Sequence, residues 1–284
     1  MSSFRSDLGK YKPRIMGYLW IILIAMLSAS IVIADEAEEK SADYVKRLNG
    51  RVNRDENQPG KPVIQVNLGF SQVTDAGLVE LAGFKSLKAL VLANTKVMDT
   101  GLRELGSFKN LNHLDLEKTK VTDAGLRELA PLTNLNTIIL NQTAITDKGL
   151  KELAPLTKLT FLAIGNTKVM DAGLKELAPL KNLTRLYLYD TAISDAGLKE
   201  LAPLKNLSRL YLHNTLLTDV GMKELANFKY LSELTLNRTK VTDAGLKELA
   251  QLKSLFIVDL TGTMVTDAGV KEFQKTMPMC KVLK

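Results

Sequence analysis

Apolar residues recur along this chain in a fixed order. In the stretch LTRLYLYDTAISDAGLKELAPLKN (residues 183–206), Leu183, Leu186 and Leu188 come first. The last two are spaced like alternate residues of a strand. Leu198, Leu201 and Leu204 follow at threefold spacing, which lines one face of a short helix. The same order runs from Val63, Val66 and Leu68 through to Leu255, Val258 and Leu260. Between strand and helix stands a Ser/Thr-Asp pair or its equivalent, and an Asp-x-Gly core returns every 24 residues from Asp75/Gly77 to Asp267/Gly269. An unbroken short period predicts one strand-and-helix unit stacked on copies of itself. No single unit buries both its leucine strand and its leucine helix, so neighbours on each side must. The recurring aspartate is predicted at the helix N-cap, accepting free backbone N–H groups at the positive end of the helix dipole. Pro131, Pro155, Pro179 and Pro203 are predicted to stop the helices early.

The pattern L-x-x-L-x-L-x-x-T-x-[IV]-[TSM]-D-x-G-L resembles the leucine-rich repeat family over residues 63–284. It is similar in particular to the Thr-Asp-x-Gly-Leu branch found in exported bacterial proteins and in F-box adaptors. The resemblance implies an α/β solenoid, curved, with a parallel sheet on the concave side and short helices on the convex side. Many relatives carry Asn at the ninth position. Here Thr95, Thr119, Thr143, Thr167, Thr191, Thr215, Thr239 and Thr263 hold it, with Ser71 first. A hydroxyl there is expected to bond local backbone in place of the amide.

The ends follow other rules. Residues 1–34 read as an export signal or an N-terminal membrane anchor: Arg5, Lys10, Lys12 and Arg14 precede an apolar run over 15–34, and acids follow. The run is long enough to span a bilayer, and cleavage before Asp35 and retention as an anchor both remain open. Either outcome places the repeats outside the cytoplasm, in a periplasm or at a cell surface. Residues 35–62 are expected to form an N-terminal cap of one helix and a short strand, and residues 279–284 a C-terminal capping strand, because a solenoid must cover its two open ends. The nine 24-residue units fill residues 63–278.

The formal charge is +7, but the N-terminal segment supplies part of it. In the helical columns Arg103, Arg127, Lys151, Lys175, Lys199 and Lys247 are each followed by Glu. Such mixed-sign faces argue against a nucleic-acid partner. Cys280 is the only cysteine, so stability must come from the core. Its thiol is either buried or open to cross-linking with a second copy.

Chemistry-bearing motifs are sparse. The aspartates fall in one column, one carboxylate per unit, which is too few for calcium. His113 and His213 lie four units apart, and no nucleophile triad, phosphate loop or zinc pattern occurs. No cofactor and no metal is expected, and no enzymatic activity.

The side chains between the strand leucines are predicted to face away from the core. Reading them across units gathers Phe161, Arg185, Tyr187, Tyr189, Arg209, Tyr211 and His213 on three adjacent strands. Of the chain's seven tyrosines and eight phenylalanines, four stand there beside two arginines. Tyr and Arg dominate binding hot spots, while tyrosines on a half-exposed strand also pack across strands for stability alone. The binding reading points to a protein or peptide partner carrying acidic groups that meet the arginines. The function expected is a non-catalytic protein-binding scaffold exported to the cell envelope. The alternative, drawn from the F-box relatives, is a substrate-recognition adaptor of an enzyme complex of the ubiquitin-ligase kind.

Overall fold

A computed structural model describes residues 36–284. The export signal or anchor expected over residues 1–34 lies outside them. Among the described residues no helix is long and apolar enough to cross a membrane.

Among the described residues one sheet of eleven strands runs in strict sequence order. β1 (Arg51–Arg54) lies antiparallel to β2 (Val63–Asn67). After it come β3 (Ala89–Val91), β4 (His113–Asp115), β5 (Thr137–Ile139), β6 (Phe161–Ala163) and β7 (Arg185–Tyr187), all parallel. β8 (Arg209–Tyr211), β9 (Glu233–Thr235), β10 (Ile257–Asp259) and β11 (Lys281–Leu283) complete the sheet in the same sense. From β2 onward neighbouring strands pair in register 24 residues apart, such as Leu186 with Leu210.

Helix α1 covers 36–47. The repeats then supply α2 (Asp75–Leu78), α3 (Asp99–Leu105), α4 (Asp123–Leu126), α5 (Asp147–Leu150) and α6 (Asp171–Leu174). α7 (Asp195–Glu200), α8 (Asp219–Leu225), α9 (Asp243–Leu249) and α10 (Asp267–Thr276) follow. In four repeats a 3-10 turn continues the short helix, as at Lys175–Leu177 after α6. Between sheet and helices the leucines of every repeat form one continuous buried ribbon. Removing each from water contributes about 1.5–3 kcal/mol, which offsets the entropy cost of ordering so many short elements.

The recurring aspartate does not sit where the sequence pattern predicts. It is the first residue of its helix, and the N-cap is the residue before it. Ser194 caps α7 by accepting from the Ala196 N–H (3.3 Å), and Thr122, Thr146, Thr218 and Thr242 do likewise. The aspartate reaches instead into the following repeat. Asp171 Oδ1 accepts from the Ser194 N–H at 2.7 Å and Oδ2 from its hydroxyl at 2.5 Å. Asp99, Asp123, Asp195, Asp219 and Asp243 hold Thr122, Thr146, Thr218, Thr242 and Thr266 in the same two-pronged way. A carboxylate at N1 still meets the helix dipole, but its hydrogen bonds join repeats.

The glycine of Asp-x-Gly is the other half of this joint. A Cβ on Gly221 would stand 2.5 Å from Asp195 Oδ1, and one on Gly101 2.6 Å from Asp75 Oδ1. At Gly77, which has no repeat before it, Tyr44 of α1 fills the same place.

Two further ladders run along the stack. The ninth-position threonines donate to the carbonyl three residues back, as Thr95 does to Leu92 (2.6 Å) and Thr215 to Leu212 (2.6 Å). On the loops entering the strands, Asn134, Asn182 and Asn206 donate from Nδ2 to the carbonyls of Lys109, Thr157 and Lys181 in the preceding repeat, each at 2.8–2.9 Å. The residue just before each ninth-position hydroxyl has a left-handed backbone: Phe70, Asn94, Lys118, Gln142, Asn166, Asp190, Asn214 and Arg238 have φ between 52° and 64°, and Gly262 has φ 71°. Only glycine adopts this conformation at no steric cost.

At the N-terminal end α1 buries Ala42 and Val45, and its Glu38 accepts from the Val63 N–H (3.0 Å) and pairs with Arg54 (3.0 Å). At the other end α10 turns Phe273 inward, and Lys284 binds Asp267, the last of the recurring aspartates in the sequence. The Cys280 thiol is buried there, and burial pushes its pKa up to about 11. That excludes a surface thiol ready for cross-linking.

Candidate protein-binding face

Strand alternation decides which side chains reach the outer face of the sheet. Leu162, Leu186 and Leu210 point into the core and are completely buried, so their neighbours in sequence point out. Pairing in register then sets those neighbours side by side. Phe161, Arg185, Arg209 and Glu233 form one row across four strands, and Ala163, Tyr187, Tyr211 and Thr235 form the next. Tyr189 and His213 begin a third row just past the ends of β7 and β8.

All seven residues predicted from the sequence therefore meet in one patch, and their rings touch. The inter-strand spacing of about 4.8 Å is close to a stacking distance. Tyr187 and Tyr211 stack with centroids 4.1 Å apart and planes 6° apart, and Tyr189 and His213 do so at 4.6 Å and 4°. Phe161 meets Tyr187 edge-on at 4.8 Å, and the Arg185 guanidinium lies 4.7 Å from the Phe161 ring centre. Small residues make room for this: Ala163 is fully buried, and a Cβ on Gly165 would stand 2.7 Å from the Tyr189 ring.

The two arginines differ. Arg185 rests on Phe161 and pairs with no carboxylate among the described residues. Arg209 Nε is 3.2 Å from Glu233 Oε2, and the other Glu233 oxygen accepts the Tyr211 hydroxyl proton. The sequence pattern counted both arginines as free charge, and the second is neutralised. Reading the Arg185, Arg209, Glu233 row as one column would have revealed the pair, because residues 24 apart are strand neighbours.

Burial and the hydrogen bond to Glu233 raise the Tyr211 pKa, and burial raises that of Tyr189, so both hydroxyls stay protonated. Burial lowers the His213 pKa and keeps the ring neutral near pH 7. Two strands nearer the N-terminus, His113 and Asp115 share the same face. Burial lowers the first pKa and raises the second. Among the described residues no cluster of histidine, cysteine and carboxylate side chains has the make-up of a metal site.

The leucine-rich repeat family model matches residues 109–130, 132–154 and 180–202. No curated protein sequence matches the chain. Among solved structures it is similar to internalin C2 of Listeria monocytogenes, at 24% identity over 79% of this chain and 93% of that one, with a TM-score of 0.59. An internalin (InlF) of the same organism aligns at 17% identity over 88% of this chain and 94% of that one, with a TM-score of 0.42. The first likeness concerns the fold. Its in-register sheet, its 24-residue period and the first likeness give the chain the fold of a leucine-rich-repeat solenoid, and three of its segments match the family model.

Proposed function

We propose that this protein is a non-catalytic scaffold, exported to the cell envelope, that binds a protein or peptide partner on the outer face of β6 to β8. The observation that carries the reading is the stacked ring cluster of Phe161, Tyr187, Tyr189, Tyr211 and His213 beside the unpaired Arg185. The leucine ribbon already fills the core, so the fold has no need of rings on its solvent side. Stacking fixes their rotamers before any partner arrives, which lowers the entropy cost of association. Large amphipathic rings around an arginine match the composition of binding hot spots. Arg185 is the cation left for an acidic group of the partner. Export rests on the basic and apolar sequence of residues 1–34, read as signal or anchor, with residues 35–62 and 279–284 capping the repeats.

The test is capture from cell-envelope extract with the full chain, wild type against the triple variant Arg185→Ala, Tyr187→Ala, Tyr211→Ala. The variant should lose the partner that wild type retains, with a melting temperature within a few degrees of wild type. Equal capture by both proteins overturns the proposal. N-terminal sequencing of the native protein separates a cleaved signal from a retained anchor, and recovery in the cytosolic fraction refutes export.

A further inference from the structure

Just beyond the ring cluster, toward the C-terminal end, a hollow of about 290 Å³ opens on the face of β8 to β10. Tyr211 and His213 wall one side of it. Each has one ring face covered, by Tyr187 and Tyr189 respectively, which leaves the other toward the hollow. Ile257 and Asp259 stand opposite, Thr235 lies between, and Glu233 is at one edge. Thr235 continues the row of Tyr187 and Tyr211 but is short, and its hydroxyl is turned to His213 Nδ1 (3.2 Å). The stack of flat groups that begins on β7 therefore has room for one more layer above β9.

The charge of the lining is one-sided. It contains two carboxylates and neither lysine nor arginine. Glu233 is occupied by Arg209 and Tyr211. Asp259 accepts from the Thr261 N–H through Oδ1 (2.9 Å), while Oδ2 has no hydrogen-bond partner among the described residues. His213 adds no positive charge in its neutral form, and Arg238, whose charge reaches His213, lies outside the lining. A group placed over Thr235 sits one strand spacing, about 4.8 Å, from Tyr211 on one side and from Asp259 on the other. It must be flat to continue the stack, and cationic to suit the open ring face and the free carboxylate oxygen. Guanidinium has both properties; an ammonium has only the second.

We infer that this hollow is a slot for an arginine side chain of the docked partner, its guanidinium lying on Tyr211 and held by Asp259. The inference rests on the reading that a protein or peptide docks on this face. It adds that the docked segment carries an arginine two strand spacings across and two residues along, about 12 Å, from the acidic group that meets Arg185.

The test titrates the full chain with acetyl-Gly-Arg-Gly-amide, followed by NMR. The counterparts carry citrulline, which keeps the shape without the charge, or glutamate. The arginine peptide should bind saturably at millimolar concentration, the citrulline peptide at least tenfold more weakly, and the glutamate peptide not at all. Asp259→Asn keeps the bond to the Thr261 N–H and should weaken arginine binding at least fivefold. Thr235→Tyr fills the layer and should abolish it. Circular dichroism should show both variants folded. Equal binding of citrulline and arginine, wild-type binding by both variants, or no saturable arginine binding overturns the slot. A partner whose capture survives Asp259→Asn and Thr235→Tyr but is lost in the Arg185, Tyr187, Tyr211 variant also overturns the slot and leaves the binding face standing. Arginine binding that depends on Asp259, with capture unaffected by any face variant, removes the binding face and with it the docked partner as the slot's occupant.

Discussion

Replacing Asp195 with alanine tests whether the recurring aspartate serves its own helix or the next repeat. Asp195 Oδ1 accepts from the Thr218 N–H at 2.9 Å and Oδ2 from the Thr218 hydroxyl at 2.6 Å. A hydrogen bond to a charged acceptor contributes about 1.5–3 kcal/mol. Both residues are half-buried, so the amide bond takes the low end of that range, and the hydroxyl, free to turn to water, takes less. A negative charge in the first turn of α7 adds about 0.3–1 kcal/mol. Asp195→Ala should therefore cost about 2–3 kcal/mol, and Asp195→Asn, which keeps one acceptor for the amide, about 1 kcal/mol. Chemical denaturation followed by circular dichroism measures the loss. Hydrogen exchange locates it: the Thr218 amide should lose protection in Asp195→Ala, while the Ala196 amide, held by Ser194, keeps its own. A stability within 0.5 kcal/mol of wild type, or loss of protection confined to α7, would refute the joint between repeats.

Three other outcomes follow from the geometry. Lys118 is exposed and left-handed at φ 55°, so Lys118→Gly should stabilise the protein by about 0.5–1 kcal/mol after the glycine's extra chain entropy is subtracted; a lower denaturation midpoint counts against this. Cys280, buried and with its pKa raised to about 11, should resist iodoacetamide at pH 8 until denaturant is added, and labelling at the rate of a free peptide thiol would contradict its burial. Hydrogen bonds from Thr266 hold the Asp243 carboxyl below its ordinary pKa, and Lys284 does the same for Asp267. A depressed folded pKa adds stability above the unfolded value and loses it as pH falls through the folded one. Exchange protection in α10 should therefore fall in acid, below about pH 4, and protection unchanged down to pH 2 would refute the assignment.

The architecture was legible because its signal is repeated. Leu186, Leu210 and Leu234 sit 24 residues apart, and a period shared by every repeat allows strand pairing only in that register. The ring cluster was legible for the same reason, since Tyr187 and Tyr211 occupy equivalent slots. What escaped notice lies between repeats or in the backbone. Asp195 looks like a cap because it precedes a helix, and nothing local to it indicates that its partner is Thr218. The left-handed position holds Asn94, Asn166, Asp190, Asn214 and Gly262, types that favour it, but Phe70, Lys118, Gln142 and Arg238 share the slot and dilute that signal. Asn182 lies within an Asn-Leu-Thr sequon that means little by itself, yet its amide bonds the Thr157 carbonyl. Glu233 was visible in its slot, but its hold on Arg209 required reading down the column instead of along the strand.

The Asp-to-Gly joint has a consequence for how this chain can change length. Each coil carries a carboxylate for its successor and a bare α-carbon for its predecessor, so every coil is a part with the same plug and the same socket. Excising or duplicating one whole coil, for instance residues 123–146, rejoins a plug to a socket at the scar. The ring cluster would then move nearer to α1 or farther from it in single-strand steps, its own arrangement unchanged, like a bead shifted along a string.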